Sequence, residues 1–224
     1  MLEQGIALKM FTGIIEHLGT IDALRLTASG GRITLLAPAL AGKLSVSASI
    51  AVNGCCLTIV SIDGDRFSAD LSLETLQKTS FRSLKSGALV NLEQPLTAGK
   101  EFGGHFVLGH VDGVGGVSSL TPEDDGWRYR VEVPREIARY IVPKGSITID
   151  GVSLTIASWR DGIAEIAVIP FTYERTNIRD RKNGDLVNLE ADVLGKYIER
   201  HLAARETAKA SSSLSVENLV AQGF

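Results

Sequence analysis

The sequence predicts a mostly β protein built as two tandem small barrels followed by one α-helix. Three observations carry this expectation. The chain repeats itself at a shift of 97 positions, short strand-like runs alternate with turn signals in both halves, and a helix-forming segment near the end has no counterpart in the first half.

The repeat is ungapped across its matches. Asn53-Gly54-Cys55-Cys56-Leu57-Thr58 returns as Asp150-Gly151-Val152-Ser153-Leu154-Thr155, and Val90-Asn91-Leu92-Glu93 as Val187-Asn188-Leu189-Glu190. The same shift carries Thr75 to Thr172, Thr79 to Thr176, Arg82 to Arg179 and Lys85 to Lys182. A duplicated domain of this kind suggests two similar sites for two similar ligands.

Each element has its own signal. Residues 32–36, 49–52, 57–60 and 66–71 alternate or are rich in β-branched side chains, which suits a half-buried pleated surface. Ile62-Asp63-Gly64-Asp65 and Trp159-Arg160-Asp161-Gly162 read as hairpin turns. Strands this short and regular favour barrels, because closure removes unpaired edges. Residues 74–81, 173–178 and 134–141 are expected to be short helices, the last with Pro134 in its first turn. Residues 196–205 combine good helix formers with apolar positions 197, 198, 202 and 203. A lone amphipathic helix needs a surface to pack on, and a neighbouring subunit would provide one. Ala210-Ser211-Ser212-Ser213 opens a loose tail.

Composition narrows the function classes. At 224 residues and 44% hydrophobic, the chain can bury one or two sizeable cores. Net charge is −3 with scattered Lys and Arg, which favours neither nucleic acid nor an anionic membrane. The two cysteines are adjacent, so no disulfide framework is expected and a reducing cytoplasm fits. The start lacks a signal-peptide pattern, and no apolar run reaches bilayer length. Residues 1–9 read as an extension ahead of Met10.

Several residues can carry chemistry. Cys56 and Ser153 are small nucleophiles at equivalent positions, each two residues after a glycine and directly before Leu-Thr. They read either as small residues of a tight turn or as attacking groups. Cys55, opposite Val152, reads as core. His105 and His110 lie five apart on a strand-like segment and so face opposite ways, which argues against a shared metal. The repeat places His110 opposite Gly13. His110 reads either as a hydrogen-bonded structural histidine or as a proton carrier near neutrality. Gly103-Gly104 and Gly115-Gly116 fit no phosphate loop and suggest close backbone approach. Thr75 and Thr172 read as helix caps or as polar groups for a polyol.

Together these residues resemble the riboflavin synthase family, the homotrimeric α-type with two lumazine-binding domains. The resemblance runs from residue 10 to about 205. It rests on Met10-Phe11-Thr12-Gly13-Ile14, residues 53–58, Gly103-Gly104-His105 through Gly109-His110, Lys144 through Thr155, and the paired threonines. It implies six-stranded Greek-key barrels at residues 10–106 and 107–195, a trimerisation helix at 196–208 and a flexible tail at 209–224. It implies transfer of a four-carbon unit between two molecules of 6,7-dimethyl-8-ribityllumazine, giving riboflavin and 5-amino-6-ribitylaminouracil, without metal or redox cofactor. Active sites would lie between the N-terminal barrel of one subunit and the C-terminal barrel of its neighbour.

By the same resemblance Cys56, His110, Ser153, Phe11, Ser49, Lys144 and Asp150 stand at catalytic positions. Thr12 lies in or beside the site, and Gly13, Ile14 and Ile15 match a backbone stretch that hydrogen-bonds the ring. Ser49, Cys56, Leu57 and Thr58 surround the first ligand, and Asp70, Leu71, Ser72, Leu73, Glu74 and Thr75 match a ribityl-binding segment. Gly109, His110 and Val111 begin the second site. Ser153, Leu154, Thr155, Ala167, Val168, Ile169, Pro170, Phe171 and Thr172 complete it, and Lys144 is offered across the subunit boundary. Two rivals exist. Lumazine proteins, the antennae of some luminous bacteria, share the fold but are expected to lose catalytic groups; here Cys56, His110, Lys144 and Ser153 are all present. A flavin reductase module would require a nicotinamide-binding domain, for which the chain has no room.

Overall fold

The computed structural model describes residues 10–210 and residue 220, and the chain divides into two units, one ending at Asp192 and one beginning at Val193. The expected extension at 1–9 lies outside the described residues, as does most of the expected tail.

Six strands close the first barrel: β1 His17–Thr27, β2 Gly30–Leu36, β3 Ser49–Val52, β4 Cys55–Asp63, β5 Arg66–Ser72 and β6 Leu89–Glu93, in the antiparallel order β1-β2-β5-β4-β3-β6. The second barrel repeats that order with β7 Gly113–Glu123, β8 Gly126–Glu132, β9 Ser146–Ile149, β10 Val152–Arg160, β11 Ile163–Val168 and β12 Leu186–Ala191. Alternation sorts the side chains. Cys55, Leu57 and Ile59 of β4 turn into the first core with Ile50, Val52 and Phe67, while Cys56 and Thr58 turn outward. The second core gathers Tyr129, Val131, Ile147, Ile149 and Leu189. Each such side chain contributes roughly 1.5–3 kcal/mol through burial. The β10–β11 hairpin turns on Asp161 and Gly162, both at positive φ (52° and 80°), as a two-residue turn requires.

Two helices, those expected at 74–81 and 134–141, are shorter than expected. α1 is Pro38–Ala41 and α2 is Leu73–Lys78; α3, Arg135–Ala138, uses Pro134 only as its N-cap; α4 is Pro170–Arg175. The helices expected at 74–81 and 173–178 break at Thr79 and Thr176. Both adopt extended backbone, and their hydroxyls accept from the N–H groups of Phe81 and Ile178 to start 3-10 turns. Ser72 caps α2, so neither Thr75 nor Thr172 is a cap. α5, Val193–Ala210, begins three residues before the expected helix start.

One expected equivalence fails. β1 and β2 superimpose on β7 and β8 at a shift of 96, whereas every later element follows at 97. Val133 is the added residue, between β8 and the N-cap of α3. The counterpart of His110 is therefore Ile14, and Gly13 corresponds to Gly109; both glycines hold the same left-handed φ, 77° and 76°.

The barrels pack about an approximate twofold axis. A Cβ on Gly54 would lie 2.7 Å from the nitrogen of Gly151, and one on Gly151 would lie 2.6 Å from the nitrogen of Gly54. Around this contact the buried side chains of Asn53, Asn91, Asn177 and Asn188 bond across the halves, and Asp150 joins them through its carbonyl. Asn91 Nδ2 donates to the Asp150 carbonyl (2.9 Å), and Asn188 Nδ2 donates to the Asn53 carbonyl (2.8 Å).

Candidate functional site

Each barrel carries its nucleophile at the start of a long strand, on the outward face. Part of what surrounds it comes from the other half. The lead-in segment at residues 10–16 crosses to the second barrel, where Gly13 carbonyl accepts from Ser153 N–H (2.8 Å) and Ile15 packs against the second core. The lead-in at 106–112 crosses to the first barrel, where Gly109 carbonyl accepts from Cys56 N–H (2.8 Å) and Val111 packs against the first core. The two segments pair with each other at Phe11 and Val107. Gly109, His110 and Val111 therefore belong to the first barrel's site and not to the second, as the order of residues had suggested. Sequence repetition shows which residues are equivalent, but not which copy they touch.

The first site is a cavity of about 250 Å³ lined by Cys55, Cys56, Ser72, Glu74, Thr75, Lys78, Thr79, Gly109, His110 and Val111. His110 is exposed there. Cys55 points into the core, and burial pushes its thiol up to about 12, so Cys56 is the usable sulfur. Cys56 sits against Phe11, Ala51 and Val107, an apolar wall. Ser49 shares the outward face of β3 with Ala51. Its hydroxyl is buried without a hydrogen-bond partner among the described residues, which leaves it able to bond a ligand.

The second nucleophile sits in different surroundings. Ser153 Oγ lies 2.7 Å from His105 Nδ1, and His105 Nε2 lies 3.1 Å from Thr148 Oγ1. Thr148 replaces Ala51, its counterpart at the 97-residue shift. A neutral imidazole donates from one nitrogen and accepts at the other. With the proton on Nε2 and donated to Thr148, Nδ1 is free to take the Ser153 proton. Burial lowers the His105 pKa, opposed by the Asp192 carboxylate, and so favours that neutral form. In the same half of the chain's fold, a cavity of about 570 Å³ is lined by α4 residues Phe171, Glu174 and Arg175 with Arg179 and, from the first half, Ile15, Glu16, His17, Leu18 and Ala39. Ile169 and Phe171 stand exposed near it.

Other expected residues lie elsewhere. Leu57, Leu71, Leu154 and Val168 turn into the cores, offering only backbone to a ligand. Asp70 is exposed and ion-paired with Arg32, which lowers its pKa. Thr58, Thr155, Ala167 and Pro170 are exposed, and Leu73 is at the start of α2. Asp150 faces the twofold axis and not Ser153: its carboxylate accepts from Asn188 N–H (2.9 Å) and pairs with Arg181. Burial pushes the Asp150 carboxyl up, and Arg181 pulls it back. Lys144 is exposed at a left-handed turn (φ 68°) before β9. His105 and Thr148 are candidate functional residues that sequence reading did not place at the site. His105 lies in a loop rather than on a strand, and the replacement of Ala51 by Thr148 was the available signal.

The pattern described as "Lumazine binding domain" matches residues 12–95 and again 108–192. The chain belongs to the riboflavin synthase family. A riboflavin synthase of Actinobacillus pleuropneumoniae is 41% identical over 96% of this chain and 100% of its own length. One from Bacillus subtilis is 36% identical over the same shares. Among solved structures of the same fold, LumP complexed with 6,7-dimethyl-8-(1'-D-ribityl) lumazine has a TM-score of 0.75 at 29% identity. LumP complexed with riboflavin has 0.77 at 30%, each covering 81% of this chain and 99% of the other. Family membership fits the duplicated cradle: two matched domains, each with a thiol or hydroxyl at the same place on its strand.

Proposed function

We propose that the chain is a riboflavin synthase: it binds two molecules of 6,7-dimethyl-8-ribityllumazine and moves a four-carbon unit from one to the other. The products are riboflavin and 5-amino-6-(D-ribitylamino)uracil. Two identical substrates divide into these products with no atom left over, so no external oxidant or reductant is required. The observation that carries the reading is the unequal duplication, with Cys56 in an apolar wall and Ser153 in a His105–Thr148 chain at the same place in two copies of one cradle.

The chemistry suits these residues. The methyl group on the lumazine ring is acidic because the ring delocalises the carbanion, so one histidine can remove or return its proton. The other ring is an electrophile open to a thiol or hydroxyl. Holding the two rings together is the largest contribution, since it replaces an encounter by a bound pair. Ser72, Glu74 and Thr75 offer polar groups to the ribityl chain. Catalysis by a homotrimer in the cytoplasm follows from the same reading, with α5 as the joining element and a neighbour covering Ile169 and Phe171. The solved LumP complexes support a second reading, in which the chain binds the lumazine without converting it.

One assay separates them. Purified protein with dimethylribityllumazine alone is expected to produce the fluorescence of riboflavin and an equal amount of the pyrimidine. Tight binding without riboflavin sinks the enzyme reading and leaves the binding protein.

A further inference from the structure

Two buried glutamates close the ends of the barrels. Glu93 ends β6, and Glu190 is the next-to-last residue of β12. Glu93 Oε1 accepts from Thr12 N–H (2.7 Å) and Thr12 Oγ1 (2.8 Å), and Oε2 accepts from Gly13 N–H (3.0 Å). Glu190 does the same on the other side, Oε1 accepting from Leu108 N–H (2.7 Å) and Oε2 from Gly109 N–H (3.1 Å). Only 2% and 3% of these residues are exposed. A carboxylate forked onto two successive N–H groups fixes the peptide plane between them, and bonds to a charged acceptor are the strong ones. In each case the carbonyl of the held glycine then receives the N–H of the nucleophile in the other barrel.

The approach leaves no slack. A Cβ on Gly13 would meet Ser153 Cβ at 2.7 Å, and one on Gly109 would meet Cys56 Cβ at 2.6 Å. His105 N–H also donates to Thr12 carbonyl (3.2 Å), so the base of the second site hangs from the same held segment. We infer that Glu93 and Glu190 are crossed positioning residues: Glu93, in the first barrel, sets the Ser153–His105 site, and Glu190, in the second, sets the Cys56–His110 site. Each acts through one glycine residue, whose N–H it holds and whose carbonyl receives the nucleophile's N–H, so each barrel's geometry is fixed from its partner. The proposal rests on the functional reading only in treating these nucleophiles as the working groups.

The test uses full-length protein without substrate. In Glu190→Gln an amide N–H₂ replaces one acceptor, and Gly109 is released from Cys56. Alkylation of Cys56 by iodoacetamide is expected to accelerate by about fivefold or more, in line with the loss of a bond to a charged group. In Glu93→Gln it is expected to stay within about twofold of wild type. Histidine ring NMR signals provide the converse arm: Glu93→Gln should shift those of His105 and spare His110, and Glu190→Gln the reverse. Should a glutamine variant fail to fold, Glu190→Asp withdraws the acceptor while keeping its charge, and Thr12→Val removes one bond to Glu93. Both are expected to give the same crossed pattern at smaller amplitude. Perturbation of each glutamate's own barrel, or of both sites equally, overturns the inference. These reporters need no turnover, so a protein that makes no riboflavin can still show the crossed pattern, and an active enzyme can still lack it.

Discussion

At the scale of single residues the two sites divide by what faces the nucleophile. Thr148 and His105 give Ser153 a proton path, whereas Ala51 and Phe11 give Cys56 a dry wall. His105→Gln is expected to lower turnover by roughly 10²–10⁴-fold, the range of general acid–base catalysis, in steady-state assays. Burial sets the sign of the pH dependence. The folded pKa of His105 lies below its ordinary 6.5, so the unfolded chain takes up this proton first on acidification. Stability from this residue is therefore present above pH 6.5 and lost as pH falls towards the folded value. The acid limb of kcat/KM is expected below pH 6.5, and a limb above 6.5 would remove His105 as the neutral acceptor. Sequence reading reached Cys56 and Ser153 because both copies of that position are polar. It did not place His105 at the site because its partner Ser153 lies 48 positions away and its counterpart before Met10 offers no comparison.

Among the elements, the strands and the Asp161-Gly162 hairpin were legible because alternation and turn chemistry are local. The broken helices at Thr79 and Thr176 were less so, since a hydroxyl that caps the next turn looks like any threonine within a helical run. The single inserted residue between β8 and α3 hid the match of Gly13 to Gly109. The contact between the barrels offers a test of this register. Asp150 and Arg181 form a buried ion pair whose first-half counterparts are Asn53 and Leu84. Arg181→Leu alone strands the carboxylate and is expected to cost about 3–5 kcal/mol in urea denaturation. Adding Asp150→Asn recreates the first-half pair and is expected to recover most of that loss. If the double variant is as unstable as the single, the pair does more than balance charge.

For the whole molecule, the two barrels and the helix α5 are separate units. Ending the chain after Asp192 is expected to leave the barrels folded, with a thermal midpoint within about 5 °C of the full chain by circular dichroism. The same truncation is expected to reduce a trimer to monomers in analytical ultracentrifugation, and an unchanged mass would remove α5 as the joining element. Two barrels, a duplicated cradle and a separate helix were all legible in the sequence. The exchange of lead-in segments was not, because it is a fact of packing and leaves no mark on the order of residues.

That exchange has a consequence for synthesis. The chain emerges from its amino end, so the first barrel can close as soon as β6 is made. Its cysteine then still lacks Gly109, which arrives later, and Gly109 lacks Glu190, which comes almost at the end of the second barrel. The serine lacks nothing made before it, but it is itself late. Both sites are therefore finished in one event, when β12 docks. A nascent or truncated chain holding one good barrel has no finished site, so catalysis begins only on a molecule that has passed its last folding step.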